Sequence, residues 1–122
     1  MILVDTSVWI DHLHEGVPEL SEHLNAGEVL VHPMVIGELA CGSLRNREEV
    51  LSLLSALPGA VVASHDEVLE LIARDNLMGC GLGFIDAHLL CATLLTPDAR
   101  LWTRDKRLAT VAKKLECTLK GD

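Results

Sequence analysis

Four carboxylates stand where a carboxylate is costly. Asp5 cuts short the apolar opening "MILVDTSVWI", and Glu38 falls among Ile36, Leu39 and Ala40. Asp86 lies at the start of the apolar run "FIDAHLLCATLL", and Asp105 comes three residues after Trp102 in "LWTRDKRL". Carboxylates in such surroundings are rare unless they are paired, cap a helix or hold a cation. Taken singly, Asp5, Asp86 and Asp105 each have a capping or helix-dipole explanation. Glu38, in the middle of an apolar helix pattern, has no cap to make. Taken together the acids need more than capping, because two like charges about 4 Å apart repel by roughly 4 kcal/mol at an effective dielectric near 20. A converging set therefore calls for a compensating cation, and oxygen ligands of this hardness suit Mg2+ or Mn2+. Such an ion at an open site activates water and stabilises charge on a transferring phosphoryl group. By the same repulsion, removing one of these charges, as in Asp5→Asn, should stabilise the metal-free protein if it changes stability at all.

The elements that must position the acids alternate between short strands and helices. Ile2 to Val4 reads as a strand, with helices over 6–14 and 17–26, the second ended by Gly27. "EVLVH" is a short strand, and Pro33 suits the first turn of a helix that runs out at Gly42. A helix over 47–56 precedes "PG", and "AVVA" reads as a further short strand. Ser64 with Glu67 forms a capping box for a helix carrying Val68, Leu71, Ile72 and Leu77. "GCGLG" reads as a turn that sets Asp86 at the start of its helix, "ARLWT" as the last clear strand, and Asp105 as the opening of a helix through Lys114. This alternation predicts an α/β sandwich around a mostly parallel sheet, and the length a single domain over 1–122. Ligands of such folds bind at the carboxyl ends of the strands, where Asp5 and Asp105 fall.

Composition narrows the function classes. The chain of 122 residues has a formal net charge of −8, which opposes general nucleic-acid coating, and any nucleic-acid contact must be local or helped by metal. Phe84, Trp9 and Trp102 are the only aromatic residues beside histidine, too few for a base-stacking platform. Cys41, Cys80, Cys91 and Cys117 lack CxxC spacing and sit in apolar stretches, so they read as small buried hydrophobes in a reducing compartment rather than a zinc site. With no signal-like or membrane-spanning run, the expected location is the cytoplasm.

"MILVDTSVWIDHL", "IGELACG", "FIDAHLLCAT" and "LWTRDKRL", in this order, resemble the PIN-domain nucleases, and among them the VapC-like toxins, over nearly the whole chain. The resemblance implies a PIN-like three-layer α/β/α sandwich with a small, mostly parallel central sheet, and makes Asp5, Glu38, Asp86 and Asp105 the catalytic, metal-binding acids. Thr103 takes the hydroxyl position of the Thr-x-Asp element, and Thr6 or Ser7 the hydroxyl after the first Asp. Leu108 stands near a place where an aromatic is often found, a difference of packing rather than chemistry. The implied activity is a Mg2+- or Mn2+-dependent endoribonuclease: water attacks phosphorus in line, leaving a 5′-phosphate and a 3′-hydroxyl. The implied partners are an RNA substrate, a second copy of the chain in a homodimer, and a small antitoxin whose Arg-bearing tail crosses the site.

Rival readings need residues that are missing. A receiver-like module wants adjacent acids after the first strand and an acceptor Asp after a central one, and "AVVASH" offers none. An Asp-x-Asp phosphatase wants an acid where Ser7 stands, a serine hydrolase lacks its G-x-S-x-G elbow, and "GCGLG" lacks the Lys-Ser/Thr of a P-loop. A plain binding module would follow if the acids did not converge. The six histidines are scattered, with His12 and His88 nearest the acids. Among the bases, Arg104, Lys106 and Arg107 flank Asp105 and are the first candidates for RNA phosphate, with Arg45 and Arg47 as the alternative. Val17, Leu20, Leu24, Val35, Leu51 and Leu54 suggest more apolar helix surface than the chain buries alone, available to a tail or a second copy.

Overall fold

A computed structural model describes residues 1–119. Three strands, β1 (Ile2–Val4), β2 (Val29–Leu30) and β3 (Arg100–Trp102), form a parallel sheet in the order β2-β1-β3. Ile2 pairs with Val29 on one side and Arg100 on the other, and Val4 pairs with Trp102. β1 is buried throughout, as expected for a central strand covered on both faces, which is why it reads as an unbroken apolar run.

The helices are α1 (Thr6–Glu15), α2 (Pro18–Asn25), α3 (Pro33–Ala40), α4 (Arg47–Ser55), α5 (His65–Arg74), α6 (Phe84–Leu95) and α7 (Lys106–Lys114). The connection from β1 to β2 carries α1 and α2, while that from β2 to β3 carries α3 to α6 and passes back over β1. Right-handed crossovers running in opposite directions place their helices on opposite faces of the sheet, giving three layers. The direction reverses between β1 and β3, so the crevice beyond the carboxyl ends of those two strands is the ligand position of this topology. α6 buries every residue from Ala87 to Thr93 and forms the centre of its layer, as an all-round apolar helix must.

Several sequence expectations change here. "AVVA" is not a strand: pairing ends at the Val31–Gly59 bridge, after which the Val61 N–H turns to Thr96 Oγ1 at 2.9 Å, and Val61 and Val62 are exposed. Leu77 is buried outside its helix, because α5 stops at Arg74 and Asn76 turns the chain at φ 52°. Cys91 and Cys117 are buried, but Cys41, at the end of α3, and Cys80, in the glycine loop, are exposed. The apolar residues singled out for contact surface instead belong to the core, with Val17, Leu20, Val35 and Leu54 buried and Leu24 and Leu51 packed against them. The exposed apolar side chains include Ile10, Leu13, Leu53, Val62, Met78 and Leu94. Among the described residues, no helix is long and apolar enough to cross a membrane.

Candidate active site

Asp5 follows β1 directly, and its N–H donates to Trp102 O at 2.9 Å, extending the β1–β3 pairing to the mouth of the crevice. Its side chain is only 5% exposed and makes no cap to α1. Both neighbouring hydroxyls donate to the same oxygen instead: Ser7 Oγ to Asp5 Oδ2 at 2.8 Å and Thr103 Oγ1 to Asp5 Oδ2 at 2.7 Å. Thr103 Oγ1 also accepts the Asp105 N–H at 3.0 Å, and Ser7 Oγ accepts the Arg104 N–H at 2.9 Å. Two short side chains thus clamp the turn after β3 onto Asp5. The third hydroxyl goes elsewhere, since Thr6 Oγ1 donates to Glu38 Oε1 at 2.7 Å and holds α3 to the start of α1.

Asp86 and Asp105 fill the capping roles the sequence allowed them. Asp86 Oδ2 accepts the Gly83 N–H at 3.1 Å, and Asp105 Oδ1 accepts the Leu108 N–H at 3.0 Å. Each of the four carboxylates therefore has one oxygen engaged by a protein donor, while the other, Asp5 Oδ1, Glu38 Oε2, Asp86 Oδ1 or Asp105 Oδ2, accepts from no donor among the described residues. Such a set of fixed, half-satisfied carboxylates fits a hard, oxygen-seeking cation. Among the described residues, no three acidic, histidine or cysteine side chains gather tightly enough to hold an ion unaided. Mg2+ keeps several of its waters and needs only one or two carboxylates from the protein.

The acids nevertheless feel one another. Burial pushes the Asp86 carboxyl above the usual carboxylate range; the Gly83 N–H opposes this, and the charges of Asp5, Asp105 and Glu38, in that order, push it further up. The stabilisation expected from removing a charge thus belongs to Asp86, whose carboxylate is the strained one, rather than to Asp5, which is held by two hydroxyls. An Asn at 86 can still accept from Gly83. In metal-free buffer at neutral pH, Asp86→Asn is therefore expected to melt a few degrees higher than the parent, the rise being limited because the half-exposed group is screened. The penalty on the parent is present above its raised folded pKa and fades as acidification neutralises the carboxyl, so the gap should close toward low pH. Thermal melts across pH check this; equal midpoints at neutral pH, or a gap that widens in acid, would refute it.

Two contacts here lay beyond sequence reasoning. His32 caps α3, its Nδ1 accepting the Met34 N–H at 3.0 Å, and so fixes the helix that carries Glu38. Burial, and then the neighbouring His88, hold its pKa below the ordinary histidine value, which keeps Nδ1 available as an acceptor. Its position just before the first-turn Pro33 was the available signal. Asp11 pairs with Arg104 at 2.7 Å across 93 residues of sequence, and no local pattern announces that.

The candidate bases divide. Arg104 is held by Asp11, and Arg47 donates to Ala40 O at 2.7 Å, capping the end of α3. Lys106 and Arg107 are exposed in the first turn of α7. Arg45 lines a groove of ≈ 570 Å³ that opens beside Glu38, with Ile10, Leu13 and Leu39 among its apolar walls.

Residues 2–114 match the family model of the PIN domain. Ribonuclease VapC32 of Mycobacterium tuberculosis, from strain CDC 1551 / Oshkosh, is 55% identical over 108 residues, covering 88% of this chain and 87% of that protein. The protein of the same name from strain ATCC 25618 / H37Rv matches to the same extent. With a small parallel sheet among seven helices, and with residues 2–114 matched by the family model, the chain belongs to the PIN-domain family.

Proposed function

We propose that the chain is an endoribonuclease toxin of a VapBC-type toxin–antitoxin pair, acting in the cytoplasm as a single PIN domain and hydrolysing RNA to 5′-phosphate and 3′-hydroxyl ends with Mg2+ or Mn2+. The observation that supports the reading is that Asp5, Asp105 and Glu38 all act on the Asp86 carboxyl, and that each of the four carboxylates keeps one oxygen free of protein donors among the described residues. The identity to a protein named a ribonuclease over most of both chains supports the same substrate class.

Asp5, Glu38, Asp86 and Asp105 would hold the cation. When bound, it supplies an acidified water and neutralises charge developing on the phosphoryl oxygens. Ser7 and Thr103 fix the Asp5 carboxylate through Oδ2, and Thr6 fixes Glu38 through Oε1, so the opposite oxygens are aimed before substrate arrives. One carboxylate of the set orients the attacking water in line with the leaving 3′-oxygen. The cell producing such an enzyme needs it silenced, and the partners proposed are a second copy of the chain in a homodimer and a small antitoxin whose tail brings an arginine to the acids.

The test is RNA cleavage with and without a chelator, with the new ends identified by selective ligation. The purified protein is expected to cut RNA in Mg2+ or Mn2+, to stop in excess EDTA and to leave ligatable 5′-phosphates. Full activity in EDTA, or 2′,3′-cyclic phosphate ends, would overturn the mechanism.

A further inference from the structure

The glycine loop before α6 carries more than a turn. A Cβ added at Gly81 would lie 2.7 Å from Cδ of Arg107 and 3.1 Å from its Nε and Nη1. The Arg107 side chain therefore runs along bare Gly81 backbone, at a residue whose φ of +84° also favours glycine. Two residues on, the same loop presents the Gly83 N–H to Asp86 Oδ2, while Arg107 itself stands two residues after Asp105. The guanidinium thus spans from the helix of one acid to the loop that delivers another.

Its charge is also uncommitted. Arg104 is neutralised by Asp11 and Arg74 lies 3.3 Å from Asp75, but Arg107 has no acidic partner within ion-pair distance among the described residues. An exposed cation that lies along backbone and pairs with no carboxylate keeps its hydrogen-bonding fork for something else. Beside four acids in a chain of net charge −8, a substrate phosphate faces repulsion and requires such a cation at the rim. A planar guanidinium suits the task because it bonds two phosphate oxygens at once.

We propose that Arg107, laid across Gly81, is the arm that seats an RNA phosphate beside the acids, and that a side chain at residue 81 would push the arm out of that position. The proposal rests on the ribonuclease reading and names a positioning residue for it. Arg107 binds the backbone phosphate; the acids do the chemistry.

RNA affinity and steady-state cleavage, measured over a range of salt concentrations for the full chain, test it with Arg107→Ala, Arg107→Lys, Gly81→Ala, the double variant and Arg74→Ala. Arg107→Ala is expected to raise KM roughly tenfold or more with a smaller change in kcat, and to flatten the salt dependence by about 0.7 in log–log slope, one phosphate contact on a single strand. Arg107→Lys should keep the slope while losing part of the affinity, and Arg74→Ala should match the parent. Gly81→Ala should raise KM on its own but add little in the Arg107→Ala background, because the two act through one contact. A parent slope and KM in Arg107→Ala would overturn the proposal, even if that variant melts lower, since a purely structural arginine changes stability and not the slope. A parent protein that neither binds nor cuts RNA would instead remove the ribonuclease reading beneath it. Should Gly81→Ala fail to fold, the two Arg107 variants decide the matter alone.

Discussion

Asp5→Asn is expected to lose RNA cleavage by about a thousandfold or more while keeping the fold. The size follows from the role: cation stabilisation of a phosphoryl transition state is worth several kcal/mol, and each 1.36 kcal/mol is tenfold in rate. Survival of the fold follows from the bonding. Asp5 is almost wholly buried, but its internal bonds from Ser7 and Thr103 both end on Oδ2. An asparagine oxygen can accept both and hold the turn after β3 in place. What changes is the other side of the group, where an N–H2 replaces the oxygen that would face the cation. Asp98→Asn is the matched control. Asp98 sits in the turn after Pro97 at φ 59°, a left-handed conformation that asparagine adopts as readily as aspartate. Initial cleavage rates beside thermal melts distinguish the outcomes, and an Asp5→Asn protein within tenfold of parental activity would sink the metal-site assignment.

What the sequence revealed of this molecule is what local rules can carry. β1 was legible because a strand buried on both faces shows as an unbroken apolar run, and α5 because Ser64 and Glu67 bond each other's backbone groups within one turn. The positions of the acids were legible for a similar reason: each breaks an apolar pattern at the end of a strand or on a helix. The local caps of Asp86 and Asp105 were legible too, but the bonds that fix Asp5 and Glu38 were not, because donors to them lie far off in sequence, Thr103 to Asp5 across 98 residues and Thr6 to Glu38 across 32. The same distance effect explains the failure at "AVVA". Its composition suits a strand, but a strand also needs a neighbour, and beyond Gly59 the backbone has none and bonds a threonine instead. Cys41 and Cys80 were misjudged because neighbours in sequence are a poor guide to burial where a helix ends or a glycine loop bulges outward.

Silencing by a partner is the other large expected effect. The chain, co-expressed with the product of a neighbouring reading frame, is expected to purify as an inactive complex, and alone as a homodimer by light scattering. The groove beside Glu38 suggests where the partner's segment lies. Ile10 is 47% exposed and Leu13 37% exposed on its wall, so an amphipathic or extended tail would cover apolar surface there before reaching the acids. At the crevice the tail meets carboxylates whose outer oxygens lack donors, and an arginine matches them, because it bonds carboxylates bidentately and does not lose its charge near neutral pH. Replacing that one arginine of the partner by alanine should restore cleavage by at least tenfold without dissolving the complex, since the apolar contacts in the groove remain. Size-exclusion chromatography reports the assembly and initial rates report the release. An intact complex that stays silent would mean that the tail blocks the crevice by bulk and that the acids play no part in inhibition; a complex that falls apart would mean that the arginine, and not the groove, holds the two chains together.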